Sequence, residues 1–392
     1  MRGLAGERDR PRVRAVAGVQ GEEEEDLMKC ERFELERWLP AVATAEVNLA
    51  GALSVPLHYR DLISGFELDK EIGYRSTRGS LKLREEIAGL YTGRRIEPDE
   101  ILVTTGTAEA NFVLLTSLLE PGDEFVLVVP TYLQSVGIAR AIGSRVKLVA
   151  LHEKEGWRLH LDELEAAISE KTKAIMVTNP NNPMGSCFDP PTLQAICRLA
   201  SRVGAYVIAD EALRGLEAEG GMAPSPAELY ERGISTGSLS KIGLSGIRLG
   251  WVIGPRPIIE QCWVHKDYTT LAHSGLSEGL AELALEPTAI QRFRARARTF
   301  IREHSAILME WVQRHAGALS CVQPRAGGSA FPALHLSLDA ITFCTRALQE
   351  VSVALSPGDY FGAPMHFRIR YGVHREVLID GLTRLDRFLA RL

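Results

Sequence analysis

The sequence predicts an α/β protein. Its large domain has a mostly parallel sheet of the seven-stranded type flanked by helices, and a smaller α+β domain accompanies it. Three observations carry that prediction. Between residues 100 and 253, short apolar runs alternate with helical segments, the order that builds a parallel sheet covered on both faces. Nearly every polar cluster in that block falls just after an apolar run, and such sheets bind ligands at the carboxyl ends of their strands. After residue 290 the texture turns charged and helical, then β-rich.

Taken in order, residues 1–27 read as a disordered tail. They hold Arg2, Arg8, Arg10, Arg12 and Arg14, then the acidic run Glu22 to Asp26, with no periodic apolar face. Met28 is an alternative start. A transit peptide fits less well, because Glu7 and Asp9 interrupt the arginines and serine is absent. Residues 28–60 are expected to join the small domain: 30–39 set Phe33, Leu35, Trp38 and Leu39 at helical intervals, and 47–52 form a short extended piece. The large domain is expected over 61–289. Residues 80–91 predict an amphipathic helix, with Leu81, Leu83, Ile87, Leu90 and Tyr91 against Lys82, Arg84, Glu85 and Glu86. Residues 101–105 predict a strand ending at Gly106, and a helix over 107–119 starts at once. Further strands are expected over 125–129, 146–150, 174–178, 205–209, 234–238 and 251–253, with helices over 134–142 and 191–203. The small domain, 290–392, should hold a helix from Arg292 to Glu310, strands near 331–336 and 366–371, and a closing helix near 375–391.

The 392 residues suffice for two domains with real cores. A net charge of −5 leaves no footprint for nucleic acid or an anionic membrane, and no apolar run reaches the length of a membrane span. The six cysteines are scattered without a CxxC pair, which fits a reducing, cytoplasmic compartment and no structural metal.

The chemistry concentrates after the strands. In Ser238-Leu239-Ser240-Lys241-Ile242-Gly243, one lysine sits among small residues, with Arg248 seven positions on. A lysine partly deprotonated by burial forms an imine with an aldehyde, and hydroxyls with an arginine fork hold a phosphate. An aldehyde and a phosphate on one molecule describe pyridoxal 5′-phosphate. The same stretch also reads as a glycine-rich loop with a solvated lysine. Gly106-Thr107-Ala108 opens a helix, whose first amides favour a phosphate. Tyr132 can stack on a flat ring or line a core. Asn182 can donate to a phenolate-like oxygen, whereas Asn179 and Asn181 serve the turn. Asp210 ends an apolar strand, where a carboxylate needs a positive partner or a helix to cap. Against a pyridine nitrogen it would keep that nitrogen protonated. Arg368 and Arg370 share a strand face, and alternation leaves open which of them holds a substrate carboxylate.

Together these residues resemble the class I/II aminotransferases of the fold-type I pyridoxal-phosphate enzymes, from about residue 45 to the C-terminus. The resemblance rests on Tyr74-Arg75-Ser76-Thr77-Arg78-Gly79, Gly106-Thr107-Ala108, Asn182-Pro183-Met184-Gly185, Asp210-Glu211-Ala212-Leu213, Ser238-Leu239-Ser240-Lys241, Arg248 and Arg368. Within the family the chain looks nearest to bacterial enzymes of amino-acid or secondary metabolism, a branch that includes an arginine-cyclising synthase. The resemblance implies that Lys241 is the catalytic lysine, joined to the cofactor as an aldimine and moving the proton of a quinonoid intermediate. Asp210 would pair with the pyridine nitrogen, Asn182 with the ring oxygen, and Tyr132 would stack. Thr107 and Ala108, following Gly106, would supply phosphate amides. Ser238 and Arg248 would bind the same phosphate, with Ser240 in the same cofactor site. Tyr74 would reach the phosphate of a second subunit, which makes the expected unit a homodimer. Residues near Tyr268–Thr270 would line the partner's pocket. Arg368 would bind the α-carboxylate, assisted by Ala50, Gly51 and Asn182.

Three positions depart from the family pattern. Leu213 stands where a tyrosine donor is usual and Met184 where threonine is usual. The lysine-to-arginine interval is one shorter than in aspartate aminotransferases. The expected function is transfer of an amino group between an L-amino acid and a 2-oxo acid. Leu213 favours the alternative, another reaction of the same cofactor such as elimination, cyclisation or oxidation. A non-catalytic sensor domain would need a DNA-binding module, for which the 27-residue tail is too short and unpatterned.

Overall fold

The computed structural model describes residues 29–66, 69, 71, 73–219 and 221–392; the expected tail at 1–27 lies outside the described residues. At the centre is an eight-stranded sheet. Its spatial order is Ile101–Thr104, Gly250–Ile253, Gly233–Ser238, Tyr206–Asp210, Thr172–Thr178, Glu124–Val129, Arg145–His152 and Arg158–Leu159. The pairings among the interior strands from Gly233–Ser238 to Arg145–His152 are all parallel. Gly250–Ile253 runs antiparallel to both its neighbours.

The apolar runs form strands because they are covered on both faces. Every residue of Glu124–Val129 is buried, as is every residue of Ile101–Thr104 and Gly250–Ile253. Val126, Val128, Ile175 and Val207 pack to one side, against Leu193 and Ile196 of the helix Pro190–Ser201. Phe125, Leu127, Met176 and Ile208 pack to the other, against Val113, Leu114 and Leu118 of the helix Thr107–Leu118. Alternate side chains of one strand thus feed two separate cores.

The eighth strand departs from the expected seven. Glu153–Glu155 and Gly156, at φ 72°, fold the chain back so that Leu159 and Arg158 pair with Leu151 and His152. Two residues are too few to show a period. The helix expected over 80–91 stops at Ala88, because Gly89 follows; Leu90 and Tyr91 are buried beyond its end.

Val47–Asn48 pairs in parallel with Val353–Ala354. Phe367–Arg370 lies between Ser329–Ala330 and Ser356–Pro357, antiparallel to both, with Arg368 opposite Ser356. The helix Glu34–Ala41 is pinned by buried Leu35 and by the Trp38 indole, which donates to the Leu355 carbonyl at 2.7 Å. Among the described residues, no helix is long and apolar enough to cross a membrane.

Candidate active site

The carboxyl ends of five strands, continued by the turns that follow them, line a cavity of about 410 Å3. Thr107, Ala108, Tyr132, Asn182, Asp210, Ser238, Ser240, Lys241 and Arg248 line it from the sheet side. Gly51, Arg368 and the helix Glu34–Ala41, through Leu35, Glu36 and Leu39, line it from the other. Residues spread from 35 to 368 therefore meet in one place.

Lys241 follows the strand Gly233–Ser238 on a short 3-10 turn, Ser240–Ile242, ended by Gly243 at φ 105°. Desolvation, joined by the Arg368 charge, pulls its ammonium down to about 8, against the opposite pull of Asp210 and Glu36. Asp210 is buried at its strand end. Its oxygens accept from the Ala212 amide at 3.0 Å and the Asn111 amide at 3.2 Å. The Thr236 hydroxyl donates to Asn111 Oδ1 at 2.9 Å and fixes which way that amide points. Burial nevertheless pushes the Asp210 carboxyl above the ordinary range, and the cation acting on it is Lys241.

The corner between Gly106 and Arg248 is built by close packing. Gly106, at φ 82°, precedes the helix Thr107–Leu118. A Cβ there would lie 2.4 Å from an Arg248 guanidinium nitrogen, and one at Gly250 would lie 2.8 Å from the Thr107 amide nitrogen. The first amides of a helix have no partner within it, and Arg248 is held above them by the Ser245 carbonyl at 3.2 Å. The Thr107 hydroxyl is buried without a hydrogen-bond partner among the described residues.

Arg368 is 2 % exposed. It donates to the Ala50 carbonyl at 3.1 and 2.6 Å, to Asn182 Oδ1 at 3.1 Å and to the Ser356 hydroxyl at 3.4 Å, all uncharged acceptors. Burial lowers the guanidinium to about 10. Arg370, two residues along, donates instead to the Leu53 and Ser54 carbonyls at 2.6 and 3.2 Å. The alternation that left the two arginines equivalent is broken by the N-terminal segment, which runs across that face. With Asn182 Oδ1 taken by Arg368, its amide nitrogen is left for the cavity. Asn179 accepts from the Phe188 amide and Asn181 donates to the Pro130 carbonyl, so both serve the turn.

Some of the sequence-predicted residues stand apart. Tyr74 is 89 % exposed and does not line the cavity of its own chain; Tyr268 is likewise exposed. Gly106 and Ala50 lie behind the wall and shape it through their neighbours. Asn111 and Glu36 were missed. Asn111 lies four residues after Thr107, on the same helix face, a spacing that a search for partners of Asp210 would have found. Glu36 carries no local signal, since its helix reaches the cavity only in the folded chain.

This chain belongs to the aminotransferase class I and II family, whose model matches residues 67–385. Its relatives include capreomycidine synthase of Streptomyces vinaceus, 31% identical over 79% of each chain, and an aspartate aminotransferase of Streptomyces avermitilis, 28% identical over 76% of each. Among solved structures, a PLP-dependent aminotransferase from Streptococcus suis superposes with a TM-score of 0.87 at 32% identity, covering 93% of this chain and 98% of that one. The PLP-dependent cyclase OrfR does so with a TM-score of 0.85 at 25% identity, covering 96% and 100%.

The family depends on pyridoxal 5′-phosphate, and the cavity fits that group. The partnerless Thr107 hydroxyl and the corner beneath Arg248 suit a phosphate. The raised, buried Asp210 suits a cationic ring nitrogen, and the depressed amine of Lys241 suits an aldehyde. Loading of this cofactor onto the apoprotein should accelerate as pH rises through about 8, where half of Lys241 is deprotonated, and level off roughly one to two pH units higher. Stopped-flow absorbance across pH 6–10 measures it. A rate still climbing at pH 10 would mean that the amine is not depressed.

Proposed function

We propose that the protein is an aminotransferase, moving the amino group of an L-amino acid to a 2-oxo acid. The single observation that carries this reading is the separation of charges around one cavity: a low-pKa lysine, a buried carboxylate at a strand end and a buried arginine with no acidic hydrogen-bond partner among the described residues. When bound, pyridoxal 5′-phosphate supplies an electron sink next to the substrate α-carbon. Asp210 would hold a proton on the ring nitrogen, and Asn182 would donate to the ring oxygen. Tyr132 would cover the ring, while Ser238, Ser240, Arg248 and the amides after Gly106 would hold the phosphate. Arg368 fixes the α-carboxylate beside Ala50 and Gly51. Lys241, the lysine in the cavity wall, would serve as the base for the substrate α-proton.

The same reading makes the working unit a cytoplasmic homodimer, with Tyr74 and the segment near Tyr268 serving a partner's cavity. That fits their exposure. Residues 28–60 join 290–392 in a smaller domain beside 61–289, a division supported by the pairing of Val47–Asn48 with Val353–Ala354. The test is isotopic. A 15N-labelled amino acid and an unlabelled 2-oxo acid should yield a new 15N amino acid with ping-pong kinetics. Label recovered only as ammonia or in a cyclised product would reject transfer.

A second reading, elimination or cyclisation, is favoured by one residue. Leu213 is buried in the cavity wall against Gly327 and brings no donor, and a relative is named capreomycidine synthase. Leu213→Tyr should restore a donor to the charged ring oxygen. Such a bond is worth ~1.5–3 kcal/mol and one pKa unit is ~1.4 kcal/mol. Because the donor stabilises the deprotonated form, wild type should titrate higher than the variant by about one unit or more. The pH midpoint of the visible cofactor band measures this. Equal midpoints would remove Leu213 from the argument about reaction type.

A further inference from the structure

Charge accounting at the cavity leaves one group unassigned. Among the described residues five charged side chains line it: Lys241, Arg248, Arg368, Asp210 and Glu36. The reading above uses Lys241, Arg248 and Asp210 on the cofactor and Arg368 on the α-carboxylate. Among the described residues, no other cation lines the cavity to meet a second carboxylate on the substrate, because Arg370 is spent on the Leu53 and Ser54 carbonyls. What remains is a carboxylate.

Glu36 is held in position. Its Oε1 accepts from the Tyr132 hydroxyl at 2.8 Å, and Tyr132 is itself braced edge-to-face by Phe33 at 4.9 Å between ring centroids. No lysine or arginine pairs with Glu36 among the described residues, and Oε2 makes no hydrogen bond there. Leu35 and Leu39 flank it on the same helix, and Leu53 and Leu213 line the cavity too. Apolar walls leading to an unpaired carboxylate match a side chain with a methylene stem and a charged end. Glu36 also acts electrostatically on both Lys241 and Arg368, so it faces the same space as they do.

We propose that Glu36 selects amino acids whose side chain ends in a cation, pairing with the distal ammonium or guanidinium while Arg368 holds the α-carboxylate. The proposal rests on the aminotransferase reading and names its substrate class. Glu36 is a specificity residue here, not a participant in proton transfer.

The test is a substrate panel on the holoenzyme. Binding is followed by the shift of the cofactor's visible band, and turnover by release of 2-oxo acid, for L-arginine, L-ornithine, L-norleucine and L-glutamate. Wild type should favour L-arginine or L-ornithine over both others. Glu36→Gln keeps an acceptor for Tyr132 and removes the charge. It should lower the preference for the cationic amino acids over L-norleucine by roughly tenfold, as expected for a charge pair at a partly exposed mouth. Glu36→Lys should move the preference toward L-glutamate. Wild type that favours L-glutamate, or a Glu36→Gln variant that weakens all four alike, overturns the proposal and leaves the aminotransferase reading in place. Cation-selective binding lost in Glu36→Gln, without 2-oxo acid from any of the four, supports the proposal and counts against the reading.

Discussion

Lys241→Ala should fold, bind pyridoxal 5′-phosphate without a covalent link, and show neither amino-group transfer nor the visible absorption of the wild type. Among the described residues no other lysine lines the cavity, so no second amine there is positioned to replace it. The amine is also the cation acting on Asp210, and its low pKa depends on burial and on Arg368, an environment that a lysine elsewhere would not reproduce. The corner proposed for the phosphate, at Gly106, Thr107 and Arg248, is untouched by the substitution, so the cofactor should still be retained. Borohydride reduction followed by peptide mass spectrometry checks the assignment. In wild type the cofactor mass should fall on the peptide that contains Lys241. A reduced variant that carries it on another lysine would show that the wrong residue has been named.

Asp210→Asn should keep cofactor and fold but lose activity by about 10²-fold or more, the scale of one well-placed electrostatic partner. The amide is isosteric and keeps an acceptor for one of the two donors, the Ala212 amide at Oδ1 or the Asn111 amide at Oδ2. It cannot hold a proton on the ring nitrogen, so the electron sink at the α-carbon is lost. The loss should therefore fall on kcat, with the affinity for the amino acid little changed. Single-turnover kinetics separate the two. Near-normal kcat with full cofactor would remove Asp210 from the reaction.

How much of this was legible before folding follows from where each signal resides. The interior strands were legible because burial on both faces writes them as unbroken apolar runs, as in Phe125–Val129. The clusters behind Gly106, Asp210 and Lys241 were legible because each lies directly after such a run, where chemistry and sequence position coincide. The edge strand Arg158–Leu159 was not, since two residues have no period. Nor could alternation separate Arg368 from Arg370, which share a face. The distinction lies in which carbonyls of the 50–54 segment each one meets, a fact of tertiary packing. Glu36 was invisible for the same reason: it reaches Tyr132 only through a helix docked from 96 residues away.

The central claim, that an amino group leaves the substrate and stays on the cofactor, is tested most directly by the half-reaction. Holoenzyme is mixed with an excess of amino acid and no acceptor, and both products are quantified by mass spectrometry. The account predicts one equivalent of 2-oxo acid and one of pyridoxamine phosphate per site, with the visible band bleached and restored on adding a 2-oxo acid. An unsaturated or cyclised product formed over many turnovers, with the cofactor unchanged, would contradict it.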